Sequence, residues 1–428
     1  LLLAWVQQGK GQTDAAVATL RPLAEGGRLR GIHALHLALI ADVAGRPREA
    51  ERAIRTALAE TPEPSLRLLQ LSAGILARSG REAEALRLME ALGRGLGDFA
   101  IAAGTDQARR AVIAQRGVVS AVEGIAEAHL ALAAALRQQG AGEGALILAR
   151  LSLRLRPAFT PALLLIAEAY GEERHPGTAH AVLEQVPAAD PLARVAALRR
   201  AALLDRMDRV PDAEAAFRAI AAEVPNAPQP LARLGDLLRA RNRFADAIAA
   251  YDGALERVGT PTAAEWPLLY ARGIAHERAG AWPRAEADFK QALELSPEQP
   301  YVMNYLAYTW VEQGKDLPAA RRMLERAVEL RPNDGNIVDS LGWALFKMGD
   351  LPGAIRWLER AVELEPRNSV INDHLGDAYW AAGREREARF QWTRALGLEP
   401  EPADLVKITA KLRDGLPASA TPTAQRAD

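Results

Sequence analysis

Cysteine is absent from the 428 residues. That removes disulfides, thiol nucleophiles and cysteine-bound zinc, and it leaves the compartment open. Aromatic residues make up only 5% of the chain, and the basic runs Arg199-Arg200 and Arg321-Arg322 lack the interleaved rings that single-strand binders use. Neither sign of charge dominates: 53 Lys and Arg stand against 54 Asp and Glu. No global field therefore draws the chain to nucleic acid or acidic lipid. No run of about 18 uninterrupted apolar residues occurs, so no segment of this sequence reads as a membrane-spanning helix. The catalytic signatures are missing too. There is no Gly-x-Ser-x-Gly elbow, no His-Glu-x-x-His, and no glycine loop closed by Lys-Ser or Lys-Thr. Gly9-Lys10-Gly11-Gln12-Thr13 lacks the preceding strand and the spacing of a phosphate loop and reads as a turn. His33 and His36 share a helix face, but no carboxylate or cysteine completes a metal set beside them. His175 and His180 flank a turn, and Glu172-Glu173 sit at a helix end. No cofactor, metal or catalytic residue is expected, and the chain reads as a non-enzyme.

What is abundant is alanine and leucine, in a repeating order. Leu341-Gly342 is followed by Gly349, Ala354, Leu358, Ala361 and Pro366. Leu375-Gly376 is followed by Gly383, Ala388, Trp392, Ala395 and Pro400, each 34 residues after its counterpart. The small first residue recurs as Ala4, Ala38, Ala73, Ala133, Ala167, Ala201, Gly235, Gly273, Ala307, Gly342 and Gly376. Sixteen residues after most of these anchors stands a bulky apolar one, for example Leu20, Ile54, Met89, Phe217, Tyr251, Phe289, Leu358 and Trp392. Small against bulky is what two antiparallel helices need where their backbones approach. Glycine or asparagine in the short turn permits positive φ, and proline closes the second helix or opens the next. Each pair leaves an apolar face that only a neighbouring pair can cover.

This pattern resembles the tetratricopeptide family. It implies an all-α fold, a right-handed α-solenoid of about eleven stacked antiparallel helix pairs. The register predicts an N-terminal block over 1–97 with its first unit truncated, an irregular insertion with an extra helix over 98–125, and a second block over 126–400. A capping helix is expected over 401–414 and a disordered tail, rich in Ala, Thr and Pro, over 415–428. The sequence opens inside a repeat without an initiator methionine, so a signal peptide or lipid anchor is expected upstream if one exists.

In superhelices of this family the first helix of each pair lines the concave face. The resemblance places its groove-facing positions three residues before the small anchor and one and four after it. In the last repeats these are Asn304, Tyr308 and Val311; Asp339, Trp343 and Phe346; Asp373, Asp377 and Trp380. Tyr301 and Asn336 lie one turn earlier. Aromatics offer contact area at low entropic loss, and Asn or Asp can bond an extended backbone or pair with Lys and Arg. The competing reading has Trp343 and Trp380 packing between repeats and Asp373 supporting a helix start. Relatives that grip C-terminal carboxylates carry Lys, Asn and Arg here, so an acidic, aromatic groove is expected to prefer a neutral or basic segment.

The stretches Asn304–Tyr308, Val338–Ala344 and Ile371–Trp380 are similar to tetratricopeptide proteins of proteobacteria. Among these are outer-membrane lipoproteins that deliver substrates to a periplasmic C-terminal processing protease. The resemblance implies a scaffold or adaptor in the bacterial periplasm, outer-membrane anchored or not. It would bind a protein or extended peptide, such as an envelope protease or assembly factor, and neither nucleic acid nor a bilayer core. Two alternatives stand beside it: the regulatory or targeting region of a larger enzyme whose catalytic part lies outside this sequence, and a cytoplasmic module.

Overall fold

The structure is a computed structural model and describes residues 1–27, 29–62, 64–93 and 97–417. Among the described residues the chain forms 24 α-helices and one 3-10 turn, and no strand. It divides into two compact units, Leu1–Ala264 and Glu265 onward.

Unit 1 opens with three pairs: α1 (Leu2–Gly9) and α2 (Thr13–Glu25), α3 (Arg30–Val43) and α4 (Pro47–Ala59), α5 (Leu66–Arg78) and α6 (Glu82–Gly93). The 3-10 turn (Asp98–Ala102) and α7 (Asp106–Ala114) follow. Four more pairs complete it: α8 (Ala121–Gln138) and α9 (Gly142–Leu155), α10 (Thr160–Glu172) and α11 (Pro176–Leu183), α12 (Ala193–Arg206) and α13 (Val210–Glu223), α14 (Gln229–Ala240) and α15 (Phe244–Val258). Unit 2 holds α16 (Trp266–Arg278) and α17 (Trp282–Leu295), α18 (Pro300–Glu312) and α19 (Leu317–Leu330), α20 (Gly335–Lys347) and α21 (Leu351–Leu364), α22 (Ser369–Ala381) and α23 (Glu385–Leu396). A single helix, α24 (Pro402–Asp414), ends it. Within each unit the helices of a pair pack on each other and most pairs pack on the next, which makes each unit an all-α solenoid of antiparallel helix pairs.

The small-against-bulky register is visible as contact. A Cβ added to Gly376 would lie 2.4 Å from the Trp392 ring, and one added to Gly235 would lie 2.4 Å from Tyr251. The anchors are therefore small because a ring occupies the space a side chain would need. Asn242 turns between α14 and α15 at φ 58°, a left-handed conformation in which asparagine is tolerated. Asp334 and Asn368 cap α20 and α22 by accepting from two backbone N–H groups each.

The 98–125 segment carries the extra helix α7 and is packed inside unit 1. The 3-10 turn rests on α12 and α14, and Asp98 accepts from Arg233 at 2.8 Å. The start of α8 lies against α1 and α3. Gly124 is there because the buried Trp5 ring fills its side-chain space, with a Cβ 2.3 Å from that ring. Arg67 of α5 pairs with Glu127 of α8, which is itself buried. One core runs from Ala4 through Val112 and Val118 to Ala128. Of the expected tail, Gly415 and Leu416 are buried, and 418–428 lie outside the described residues. No helix of the described residues is long and apolar enough to cross a membrane.

Candidate partner-binding groove

The groove residues expected from the sequence lie on α18, α20 and α22, the first helices of three successive pairs. A cleft of about 640 Å³ gathers Tyr308, Trp343, Asp373 and Asp377 with His374, and α24 closes one side of it with Asp404, Ile408 and Lys411. A neighbouring cleft of about 440 Å³ gathers Asn304, Tyr308, Asn336, Asp339 and His374. Tyr301, Phe346 and Trp380 line neither cleft.

Three of the expected positions are almost fully buried, although Asp377 and Asp339 each border a cleft. Phe346 is 1% exposed, Asp377 4% and Asp339 5%. Each is taken up by contacts inside the stack. Phe346 lies inside the stack, its ring 4.9 Å from that of Trp343. Asp339 accepts from His374 Nδ1 at 3.0 Å. Asp377 accepts from Trp392 Nε1 at 2.9 Å and from Lys411 Nζ at 2.7 Å. Trp380 is half-buried between Trp392 and Gly415, so it packs rather than presents itself.

Val311 is fully buried as well, whereas Tyr301, Asn304, Asn336 and Trp343 keep an accessible edge. Tyr301 is 43% exposed with the Arg331 guanidinium over its ring. Asn336 is exposed and donates to Glu365 at 3.0 Å. Asn304 is half-buried, and its side-chain oxygen has no hydrogen-bond partner. Trp343 donates to Glu312 at 2.6 Å while its face stacks on His374 at 4.0 Å.

His374, Val370 and Lys411 complete the site and were not singled out from the sequence. A signal for His374 existed. Trp343 and His374 are 31 residues apart, one after an anchor and two before the next, and Trp5 and His36 repeat that relation. The same register nevertheless gives two protonation states. His36 is fully buried and accepts from Trp5 Nε1 at 3.0 Å, and burial drives its pKa to about 3, so it is neutral. Burial pushes His374 down as well, but the carboxylates of Asp339, Asp373 and Asp377 outweigh it and raise it above 6.5. Burial and Asp373 likewise push Asp377 up to about 6 against the pull of Lys411. Two carboxylates here share one ammonium.

Both shifts have one sign. The contribution of His374 is complete below pH 6.5 and fades as pH rises through its raised folded value. The folded state also holds the Asp377 proton more tightly, so that contribution fades as pH rises from 3.8 to about 6. The imidazole of His374 should titrate above 6.5 by NMR, and Asp339→Asn should move it down and flatten the loss of unit 2 thermal stability above pH 6.5. A wild-type imidazole titrating at or below 6.5 would show that the pair is not ionised.

Tetratricopeptide repeat family models match residues 232–300, 270–334 and 339–368. A TPR repeat-containing protein of Pseudomonas aeruginosa is 29% identical over 82 residues, which are 19% of this chain and 14% of the relative. The match thus spans about a seventh of that relative's length. Among solved structures, a tetratricopeptide repeat protein from Parabacteroides merdae aligns with 59% of this chain and 98% of its own, at 15% identity and a TM-score of 0.47. Yeast Tom70 aligns with 97% of this chain and 95% of its own, at 14% identity and a TM-score of 0.46. Repeat proteins of this kind generally mediate protein–protein interaction and serve as non-catalytic scaffolds. By its family-model matches, the chain carries tetratricopeptide repeats at residues 232–334 and 339–368, and its period and helix pairs resemble that family elsewhere.

Proposed function

We propose that this protein is a non-catalytic adaptor that holds a partner polypeptide against α18, α20 and α22, in the bacterial cell envelope. The observation that carries the reading is the cleft of about 640 Å³ between those helices and α24, with Tyr308 and Trp343 on one wall and carboxylates on the other. Partly apolar walls with a few convergent polar groups suit a bound side chain better than bulk water does. The envelope location, and an envelope protease or assembly factor as the partner, rest on the resemblance of 304–396 to proteobacterial adaptor lipoproteins.

Val370 borders both clefts and is 42% exposed, so a photo-crosslinker there disturbs little. Incubated with proteobacterial envelope and cytosolic extracts, it should capture a polypeptide from the envelope, whereas a crosslinker at exposed Arg356 on α21 should not. Tyr308→Ala should lower that capture at least tenfold with helicity unchanged. Equal capture at both positions would place binding elsewhere on the chain. Capture at Val370 from cytosol alone would remove the envelope but keep the groove.

A further inference from the structure

The helix that closes the cleft is held differently from the rest. α22 buries eight of its residues, from Ile371 to Tyr379, whereas α24 buries Ile408 alone. Leu405 and Val406 of α24 are 45% and 69% exposed. By register, Ala410 is its small anchor, 34 residues after Gly376, so α24 stands in the position of a pair's first helix. Its main polar attachment is Lys411. That ammonium donates to Asp373 at 2.8 and 2.9 Å and to Asp377 at 2.7 Å, and it is itself largely buried. An element with few buried apolar contacts opens at lower free energy than the body it rests on.

We propose that α24 is an in-chain stand-in for the partner: the groove of unit 2 takes a lysine-bearing amphipathic helix that displaces α24 and puts its own ammonium between Asp373 and Asp377. This rests on the groove reading above and names the class of partner it fits. Charge selects the occupant. Without Lys411 the two neighbouring carboxylates are left without their cation in a site where Asp377 is 4% exposed, and removing one partner of a buried ion pair is strongly unfavourable. Opening is therefore coupled to replacement, and a second amine satisfies the pair where a neutral or acidic side chain does not. Shape agrees with charge. Beside the acids the cleft offers Tyr308 and Trp343, and Ile408, one helical turn before Lys411, shows the spacing of the apolar contact that accompanies the amine. Lys407 and Asp404 bond each other at 2.9 Å on α24, so neither is needed by the acid pair.

The test uses the full chain and a fluorescent peptide with the sequence of residues 402–416, followed by anisotropy. Lys411→Glu in the chain sets a third carboxylate against the two and releases α24 from its seat. The peptide should bind this variant at least tenfold more tightly than wild type. The same peptide carrying Lys411→Gln should bind it at least tenfold more weakly. Equal binding to both chains, binding to neither, or equal binding of the two peptides would overturn the proposal. Should Lys411→Glu fail to fold, hydrogen exchange on the wild-type chain decides. The amides of α24 should exchange faster with excess peptide than without it, and unchanged protection would overturn the idea. Partner capture at Val370 together with no peptide exchange would leave the adaptor standing and remove this mechanism alone.

Discussion

Asp377→Lys should destabilise unit 2 by about 3–5 kcal/mol, the usual loss when a buried ion pair is left with one uncompensated charge. The native carboxylate is 4% exposed and satisfies two donors, the Trp392 indole and the Lys411 ammonium. A lysine there would face Lys411 with like charge and would leave the indole N–H without an acceptor. Trp392 itself is fully buried against Gly376, so its ring cannot swing away to find another partner. Asp377→Asn is the control, since an amide keeps one acceptor for the indole and brings no positive charge. Denaturant melts of the full chain should show the unit 2 transition lowered strongly in the first variant and far less in the second. Identical midpoints for both would mean that Asp377 is as replaceable as a surface residue.

Trp5→Ala should cost unit 1 about 3–5 kcal/mol, the range for removing a fully buried large aromatic. Its ring lies over Gly124 and donates to His36, so truncation opens a cavity and orphans an acceptor. Gly124 provides a sharper check. In the wild type Gly124→Leu is forbidden by a ring 2.3 Å from its would-be Cβ, whereas in Trp5→Ala the same leucine has the vacated volume to fill. The two substitutions should thus be strongly non-additive, and the double variant should unfold at a higher denaturant concentration than Trp5→Ala alone. Additive losses would mean that Trp5 and Gly124 do not share that space.

These two sites mark where sequence reasoning worked and where it stopped. The pairing of Gly376 with Trp392, or of Gly235 with Tyr251, is legible because it is local. The two residues lie sixteen apart within one helix pair, and the period repeats them. The contact of Trp5 with Gly124 is not legible, since nothing in the period says that a segment with altered spacing folds back on α1. The groove divides in the same way. The family resemblance put Tyr308, Trp343 and Asp373 on one side of unit 2. It assigned Asp339, Phe346 and Asp377 to the same surface, where Asp339 and Asp377 do border the clefts but all three are almost fully buried. The angle between successive pairs decides that question, and many side chains set it together. Lys411 escaped for another reason: a lone lysine on a terminal helix looks solvated until its two carboxylates are seen.

The segment between the third and fourth helix pairs has a consequence for how the molecule comes apart. An array whose members touch only their neighbours can lose them one at a time from either end. Unit 2 keeps that freedom at α24. Unit 1 does not, because Arg67 reaches Glu127 across 60 residues and Arg233 reaches Asp98 across 135. Such cross-ties close long loops, so the entropy of closing them is lost before the contacts reward it. They make the first seven pairs cooperative, slow to assemble and resistant to fraying. Unit 1 thereby behaves as a globular domain written in the grammar of a repeat, and unit 2 as a linear array with one loosely held end.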